Sequence, residues 1–245
     1  MSIPPLRRRG FTLVELLVVI AIIVTLASLL FVAMAKVNQA AQSAKTLSRL
    51  REIGVASGGY MADNNMFYPP CWNNTEGANR SYAQLLDEYL HGRTPYRELD
   101  SKFIGPNARL PVKVNEYSHP ITFSMNFAVC PDVTQYGDVA RNSIHATQIE
   151  RVSDIILMAD GCQNPGNLNQ ANASAYRVYS AVGDTGPIGQ FDQKIPVGPD
   201  EDSSRGDGWF RYPGGKCHAL MCDGSSRAFP KGTITKGNLW IDKVR

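Results

Sequence analysis

The N-terminal part of the chain contains an apolar segment long enough to cross a membrane. The 25 residues from Phe11 to Ala35 carry a single charged side chain, Glu15. A helix needs about 20 predominantly apolar residues to span the hydrocarbon core of a bilayer. A carboxylate at the centre of such a helix costs about 2.5 to 3.5 kcal/mol, and residues of this kind typically mark function. Glu15 is therefore predicted to have a functional role.

The charges that flank this segment predict its orientation. Arg7, Arg8 and Arg9 stand immediately before the apolar run. Basic residues beside a membrane span are retained in the cytoplasm. The N-terminus is therefore expected in the cytoplasm, and the chain after about residue 36 on the far side of the membrane.

Two kinds of processing fit this N-terminus. A secretory signal would be cleaved at a small-residue site such as Ala33-Met34-Ala35, but its apolar core usually has about 7 to 15 residues. The run in this chain is longer and contains an acid. The alternative signal lies on the cytoplasmic side of the run, at residues 9–15, which read RGFTLVE.

Residues 7–35 resemble the N-terminus of the type IV pilin and type II secretion pseudopilin superfamily. The signature of that superfamily is a basic leader that ends in Gly, then Phe-Thr-Leu-x-Glu-Leu and an apolar helix. The resemblance implies that a prepilin peptidase cleaves between Gly10 and Phe11 and that Phe11 is N-methylated. It also implies that in a filament Glu15 pairs with the terminal amine of a neighbouring subunit, so that two costly charges neutralise each other.

The helix is predicted to continue beyond the membrane. Residues 36–56 contain no proline and keep an apolar stripe at helical spacing, which is typical of an amphipathic helix. We expect one helix over residues 11–60, with a transmembrane half at 11–35. A membrane anchor with a short amphipathic stalk is the alternative interpretation.

The rest of the chain predicts a globular head at residues 61–245. Gly58-Gly59 is predicted to break the helix, and residues 81–90 have the pattern of a short amphipathic helix. Asp223-Gly224 lies between two strand-like runs and indicates a hairpin. The fold class is α+β, with the long helix packed on a mostly antiparallel sheet. The predicted strands are residues 121–129, 155–158, 176–182, 217–222 and 225–229.

The C-terminal region also resembles a subgroup of prepilin-like proteins that end in a His-x9-Asp-Gly segment. Residues 211–224 keep the two glycines, the apolar strand and the Asp-Gly turn of that segment. Pro213 occupies the histidine position. The resemblance therefore implies only a strand-turn-strand form for this region, and no role for a histidine.

Composition and motifs argue against nucleic-acid binding and against catalysis. The chain has 25 basic and 22 acidic side chains, and removal of the leader with Arg7, Arg8 and Arg9 leaves equal numbers, so net charge does not favour a nucleic-acid partner. The sequence contains no metalloprotease, nucleophile-elbow or phosphate-loop motif. His218 lies close to Asp223 in the sequence, and we interpret this histidine as structural. The chain is predicted not to be an enzyme.

An acidic loop and five cysteines complete the candidate sites. Residues 200–207 bring together Asp200, Asp202 and Asp207, which are candidate calcium ligands because Ca²⁺ favours several oxygen donors in a flexible loop. The alternative is a solvated acidic loop without a cofactor. The cysteines would face an oxidising exterior, and either disulfides or buried thiols fit the sequence. The five are Cys71, Cys130, Cys162, Cys217 and Cys222.

The sequence thus predicts an exported structural subunit of a type II secretion pseudopilus or a type IV pilus-like filament. It is expected in the inner membrane as a single-pass protein, with the head in the periplasm or outside the cell. The expected partners are the prepilin peptidase, copies of itself and other pilin-like subunits, the inner-membrane assembly platform and the membrane. The alternative is a signal-anchored or secreted binding protein that does not polymerise.

Overall fold

The computed structural model describes most of the long N-terminal helix and the centre of the head. The described residues are 12–73, 80–91, 101–108, 121–131, 133, 144–163, 177–178, 192–198, 200 and 210–241. The chain divides into two compact units, Met1–Ala41 and Gln42–Arg245.

Helix α1 spans Leu13–Asp63 and contains 51 residues, which confirms the predicted long helix. In the first unit its large apolar side chains are exposed, among them Leu16, Ile20 and Leu26. Within the described ranges, α1 is the one helix long and apolar enough to cross a membrane. Exposed apolar surface is unfavourable in water by about 25 cal/mol per Å², so this half of α1 requires lipid or other apolar helices around it.

Helix α1 continues through Gly58 and Gly59, where the sequence predicted a break. Gly58 is exposed, but Gly59 lies against the ring of Tyr89. A Cβ atom on Gly59 would approach Tyr89 Cδ1 to 2.9 Å, so a larger residue there would require the ring to shift. Glycine at this position therefore allows close packing between α1 and the ring, despite its low helix propensity.

The C-terminus of α1 is set by two residues in the left-handed region. Asn65 has a φ of 49° and Met66 has a φ of 62°. Asparagine tolerates this conformation, whereas a long apolar side chain rarely adopts it. The Met66 backbone N–H donates to the carbonyl of Met61 at 2.8 Å, which satisfies one of the last carbonyls of the helix.

The described part of the head contains one further α-helix and seven strands. Their bounds are Trp72–Asn73 for β1, Arg80–Ser81 for β2, Tyr82–His91 for α2, Phe123–Asn126 for β3, Ile156–Asp160 for β4, Arg177–Val178 for β5, Lys216–Met221 for β6 and Ser226–Pro230 for β7. Five of the strands form a sheet with the order β5-β3-β4-β6-β7. The β5 strand is parallel to β3, and the other neighbouring pairs are antiparallel, so the predicted mostly antiparallel sheet is confirmed. A separate antiparallel pair, β1 and β2, precedes α2.

The hairpin between β6 and β7 forms around the predicted Asp-Gly pair. Gly224 has a φ of 82°, which glycine adopts without strain. The Ser225 backbone N–H donates to Asp223 Oδ1 at 2.8 Å. Asp223 is therefore a turn-forming residue, and the strand-turn-strand form predicted for this region is present.

Both faces of the sheet are covered. On one face, Leu50 and Ile53 of α1 belong to the same buried cluster as Phe123, Met125 and Leu220. The opposite face holds a second cluster that includes Ile156, Phe210 and Met221.

Gly54 lets α1 approach the hairpin closely. A Cβ atom there would lie 2.8 Å from Leu220 Cδ1 and 3.2 Å from the Gly224 carbonyl oxygen. The C-terminal part of α1 is thus an integral part of the head core.

The head should therefore require residues of α1 that precede position 61. A fragment of residues 61–245 would lose Leu50, Ile53 and Ala56, all at most 2 % exposed, and burial of each large apolar side chain contributes about 1.5 to 3 kcal/mol. We expect a 42–245 fragment to unfold cooperatively in urea and the 61–245 fragment to be less stable by at least about 3 kcal/mol. Circular dichroism measures both transitions.

A fragment of residues 36–245 is the matched control, because residues 36–41 are exposed. It should unfold at the same urea concentration as the 42–245 fragment. Equal stability of the 61–245 and 42–245 fragments would contradict the described packing of α1.

Candidate functional site

The N-terminus of α1 is closed by a reciprocal pair of hydrogen bonds between Thr12 and Glu15. Glu15 Oε2 accepts from the backbone N–H and from the hydroxyl of Thr12, both at 2.8 Å. The Glu15 backbone N–H donates to Thr12 Oγ1 at 3.3 Å. Thr12 directly precedes the first residue of the helix, and Glu15 is the third residue of the helix. The Thr-x-x-Glu sequence therefore forms a capping box.

The capping box gives Glu15 a role within a single chain. The sequence contained this signal, since Thr12 and Glu15 have the required spacing, but it was interpreted only as a processing motif. Gly10 and Phe11, the predicted cleavage site, lie outside the described residues. Glu15 is exposed, as are the neighbouring side chains Val14 and Leu16, so its carboxylate lies on an apolar helix surface.

A second polar site lies buried in the head, centred on His218 of β6. His218 Nδ1 is 2.6 Å from Asp160 Oδ2, and the same oxygen accepts from the His218 backbone N–H at 2.9 Å. On the other side of the ring, Nε2 is 2.6 Å from Ser43 Oγ of α1. His218 is 1 % exposed and Asp160 is fully buried. The acid that contacts His218 is thus Asp160, and the sequence neighbour Asp223 instead forms the hairpin turn.

Arg211 balances the charge of Asp160. The Arg211 side chain is fully buried, and its Nη2 lies 3.7 Å from Asp160 Oδ1. Its Nη1 donates to the Asn107 carbonyl at 3.0 Å and to Gln163 Oε1 at 2.9 Å, and Nη2 donates to Asn107 Oδ1 at 3.2 Å. Asp160 and Arg211 thus bring one negative and one positive charge together in the core, which suits burial.

Sequence reasoning missed this cluster because its members come from distant segments. Ser43 and His218 are 175 positions apart, and Asp160 and His218 are 58 apart. One local signal was present: Asp160 ends an otherwise apolar buried strand. A charged residue at such a position usually has a partner.

The hydrogen-bonded chain of Ser43, His218 and Asp160 resembles the arrangement of a nucleophile, a general base and an acid that orients the base. An acyl-transfer site also needs backbone or side-chain donors aimed at a developing oxyanion. Ser43 lies inside α1, where the backbone N–H groups are engaged in helical hydrogen bonds. The arrangement therefore fits a structural contact between helix and sheet.

The acidic loop is described only at Asp200. Asp200 Oδ1 accepts from the Tyr212 backbone N–H at 3.0 Å, and its carbonyl accepts from the Gln163 N–H at 3.0 Å. Asp202 and Asp207 lie outside the described residues. Among the described residues, no three acidic, histidine or cysteine side chains are placed to hold a metal ion, and calcium binding by the loop stays a prediction.

The five cysteines are all buried. Burial raises the pKa of the Cys130 and Cys217 thiols well above the ordinary value, and burial also raises that of Cys222. Thiolate is the reactive form of cysteine. These three side chains therefore act as apolar core residues at neutral pH.

The Asp160–Arg211 pair gives a test of the buried cluster. Asp160→Ala would leave the Arg211 guanidinium without its counter-charge in the core, which typically costs about 3 to 5 kcal/mol. We expect a loss of this size in urea unfolding of the full chain in detergent. Asp154→Ala, at an exposed position, should change the free energy of unfolding by less than about 0.5 kcal/mol. Equal effects of the two substitutions would show that the pair contributes nothing.

Comparison with known proteins identifies the N-terminal segment. Residues 5–31 match the family model of the prokaryotic N-terminal methylation motif. No curated protein and no solved structure matches the chain. The matched range contains Gly10, Phe11, Thr12 and Glu15, and it ends within the apolar half of α1. The chain thus carries the methylation motif that is the hallmark of type IV pilins and pseudopilins, followed by an α+β head.

Proposed function

We propose that the protein is an exported structural subunit of a pilin-like filament, either a type II secretion pseudopilus or a type IV pilus-like fibre. The observation that carries the proposal is the methylation motif at residues 5–31. The exposed apolar half of α1 supports it, because such a surface requires lipid before assembly and other apolar helices afterwards. The motif points to a structural pilin-like protein rather than to an enzyme.

In this proposal the chain has three functional parts. Residues 1–10 are a leader that a prepilin peptidase removes on the cytoplasmic side, and the new terminal residue, Phe11, is methylated. Residues 11–60 form the assembly helix, whose apolar half at 11–35 is held in the inner membrane until an assembly platform extracts it. The head, residues 61–245, lies in the periplasm or outside the cell, on the side opposite Arg7, Arg8 and Arg9.

Glu15 has two roles in the proposal, one before and one after assembly. Before assembly its carboxylate caps α1 by accepting from Thr12. After assembly the same carboxylate pairs with the Phe11 amine of a neighbouring subunit, since an isolated charge in an apolar helix bundle is costly. Thr12 donates two hydrogen bonds to the Glu15 carboxylate. The two carboxylate oxygens accept about four hydrogen bonds in total, so Glu15 can also accept from a neighbouring amine.

The capping box also favours the alternative function, a membrane-anchored binding protein that does not polymerise. A capping box needs no neighbouring subunit, and loss of the N-cap residue costs a single helix about 0.5 to 2 kcal/mol. The two functions differ in the role that they assign to the negative charge of Glu15. Recovery of the wild-type protein in filaments or oligomers distinguishes them, and substitutions that separate the charge from the cap test the role of the charge.

The first test concerns the leader. Gly10→Val should block cleavage, because the resemblance assigns the residue before Phe11 to the peptidase site. The unprocessed chain should keep residues 1–10 and migrate more slowly on a gel than the wild-type protein. Val14→Leu, an apolar exchange within α1, is the control and should be processed normally. Processing of Gly10→Val at the wild-type site would contradict the proposed peptidase recognition.

The second test separates the charge of Glu15 from its cap. Glu15→Gln keeps an acceptor suited to a capping box but removes the charge, and Thr12→Ala removes the cap but keeps the charge. We expect Glu15→Gln to insert normally and to reduce recovery in sheared filaments or crosslinked oligomers at least tenfold. Thr12→Ala should assemble almost as the wild-type protein does.

The anchored binding protein predicts that neither the wild-type protein nor any variant is recovered in sheared filaments or crosslinked oligomers. The opposite pattern among variants that do assemble would contradict the charge pairing of Glu15. If Glu15→Gln assembles fully and Thr12→Ala is the defective variant, the carboxylate acts only as a helix cap. Glu15→Leu, which loses both properties, should then resemble Thr12→Ala. Membrane fractionation of each variant confirms that insertion is equal.

A further inference from the structure

The buried face of α1 in the second unit changes from apolar to polar towards its N-terminal side. Leu50 and Ile53 are fully buried apolar residues of the head core. One turn earlier, the buried residue is Thr46, and Ser43 before it is half-buried. The buried apolar core therefore includes α1 from residue 50 onwards, whereas the preceding turns contribute the fully buried Thr46 and the half-buried Ser43 and Leu47.

Two hydrogen bonds from the β6–β7 hairpin hold these preceding turns. Ser43 Oγ lies 2.6 Å from His218 Nε2, and Ser226 Oγ donates to the Leu47 carbonyl at 3.1 Å. A single hydrogen bond contributes only modestly to net stability. Separation of these turns from the sheet exposes Thr46 but neither Leu50 nor Ile53, so it costs less than separation of the turns that carry the apolar core residues.

The histidine is held in place independently of α1. Asp160 Oδ2 contacts both the ring Nδ1 and the backbone N–H of His218. With Nδ1–H donating to the carboxylate, Nε2 is the acceptor and the Ser43 hydroxyl donates to it. When Ser43 moves away, Asp160 keeps the ring in the same orientation, so the contact can form again without rearrangement of the core.

We propose that residues 42–47 of α1 form a latch segment, which opens and closes on the sheet while the helix from Leu50 onwards stays packed. Ser43 and His218 are the closing contact. Opening exposes His218 Nε2 and leaves the Asp160–Arg211 pair undisturbed. Ser43 is thus a positioning residue, which acts by holding the helix on the head. The latch segment coincides with the start of the second compact unit at Gln42.

Hydrogen exchange on the full chain in detergent micelles tests the latch segment. Ser43→Ala removes the hydroxyl that contacts His218, and we expect the amides of residues 43–49 to exchange about fivefold faster, as the loss of one hydrogen bond predicts. Amides of residues 53–63 should exchange at the wild-type rate. Ser43→Thr keeps a hydroxyl at the same position and should restore slow exchange.

Ser48→Ala is the matched control, since Ser48 lies exposed on the same helix. Both alanine variants gain the same intrinsic helix propensity, so a difference between them reports the His218 contact. Equal exchange in Ser43→Ala and Ser48→Ala would overturn the proposal. Faster exchange over residues 53–63 in Ser43→Ala would also overturn it, because the contact would then stabilise the whole head and not a separate segment.

Discussion

The packing of α1 against one face of the five-stranded sheet is the interaction on which the rest of the head depends. Leu50 and Ile53 of the helix complete a core that the sheet and α2 enclose. Gly54 and Gly59 permit this because a Cβ atom at either position would approach Leu220 or Tyr89 too closely. The helix that carries the methylation motif therefore also completes the core of the head.

Two groups of hydrogen-bonded side chains contact α1, one at its N-terminus and one in the head. At its N-terminus, Thr12 and Glu15 satisfy each other's donors and acceptors on an exposed apolar surface. In the head, Ser43 contacts His218, which Asp160 and Arg211 hold in a fully buried, charge-balanced cluster. A buried ion pair is a weak source of net stability compared with apolar packing. Its effect here is to give the helix one defined polar contact with β6.

Local patterns in the sequence predicted the parts of the fold that depend on local physics. The proline-free apolar stripe predicted α1, and Asp223-Gly224 predicted the β6–β7 hairpin, whose turn needs a residue with positive φ. The close approach of Gly59 to the ring of Tyr89 was not predictable, because the two residues lie on different elements. The His218–Asp160 contact was missed for the same reason, since it joins two strands and leaves no periodic signal in either.

If the protein is a filament subunit, α1 is released from a leader and then assembles. The most direct test is mass spectrometry of the N-terminus of the native protein, isolated from its own membranes. We expect a mature chain that begins at Phe11 and carries one methyl group on its terminal amine. A chain that begins after Ala35 would rule out assembly through α1, because secretory cleavage there removes Glu15 and the apolar half of the helix. A chain that still begins at Met1 would rule out processing by a prepilin peptidase.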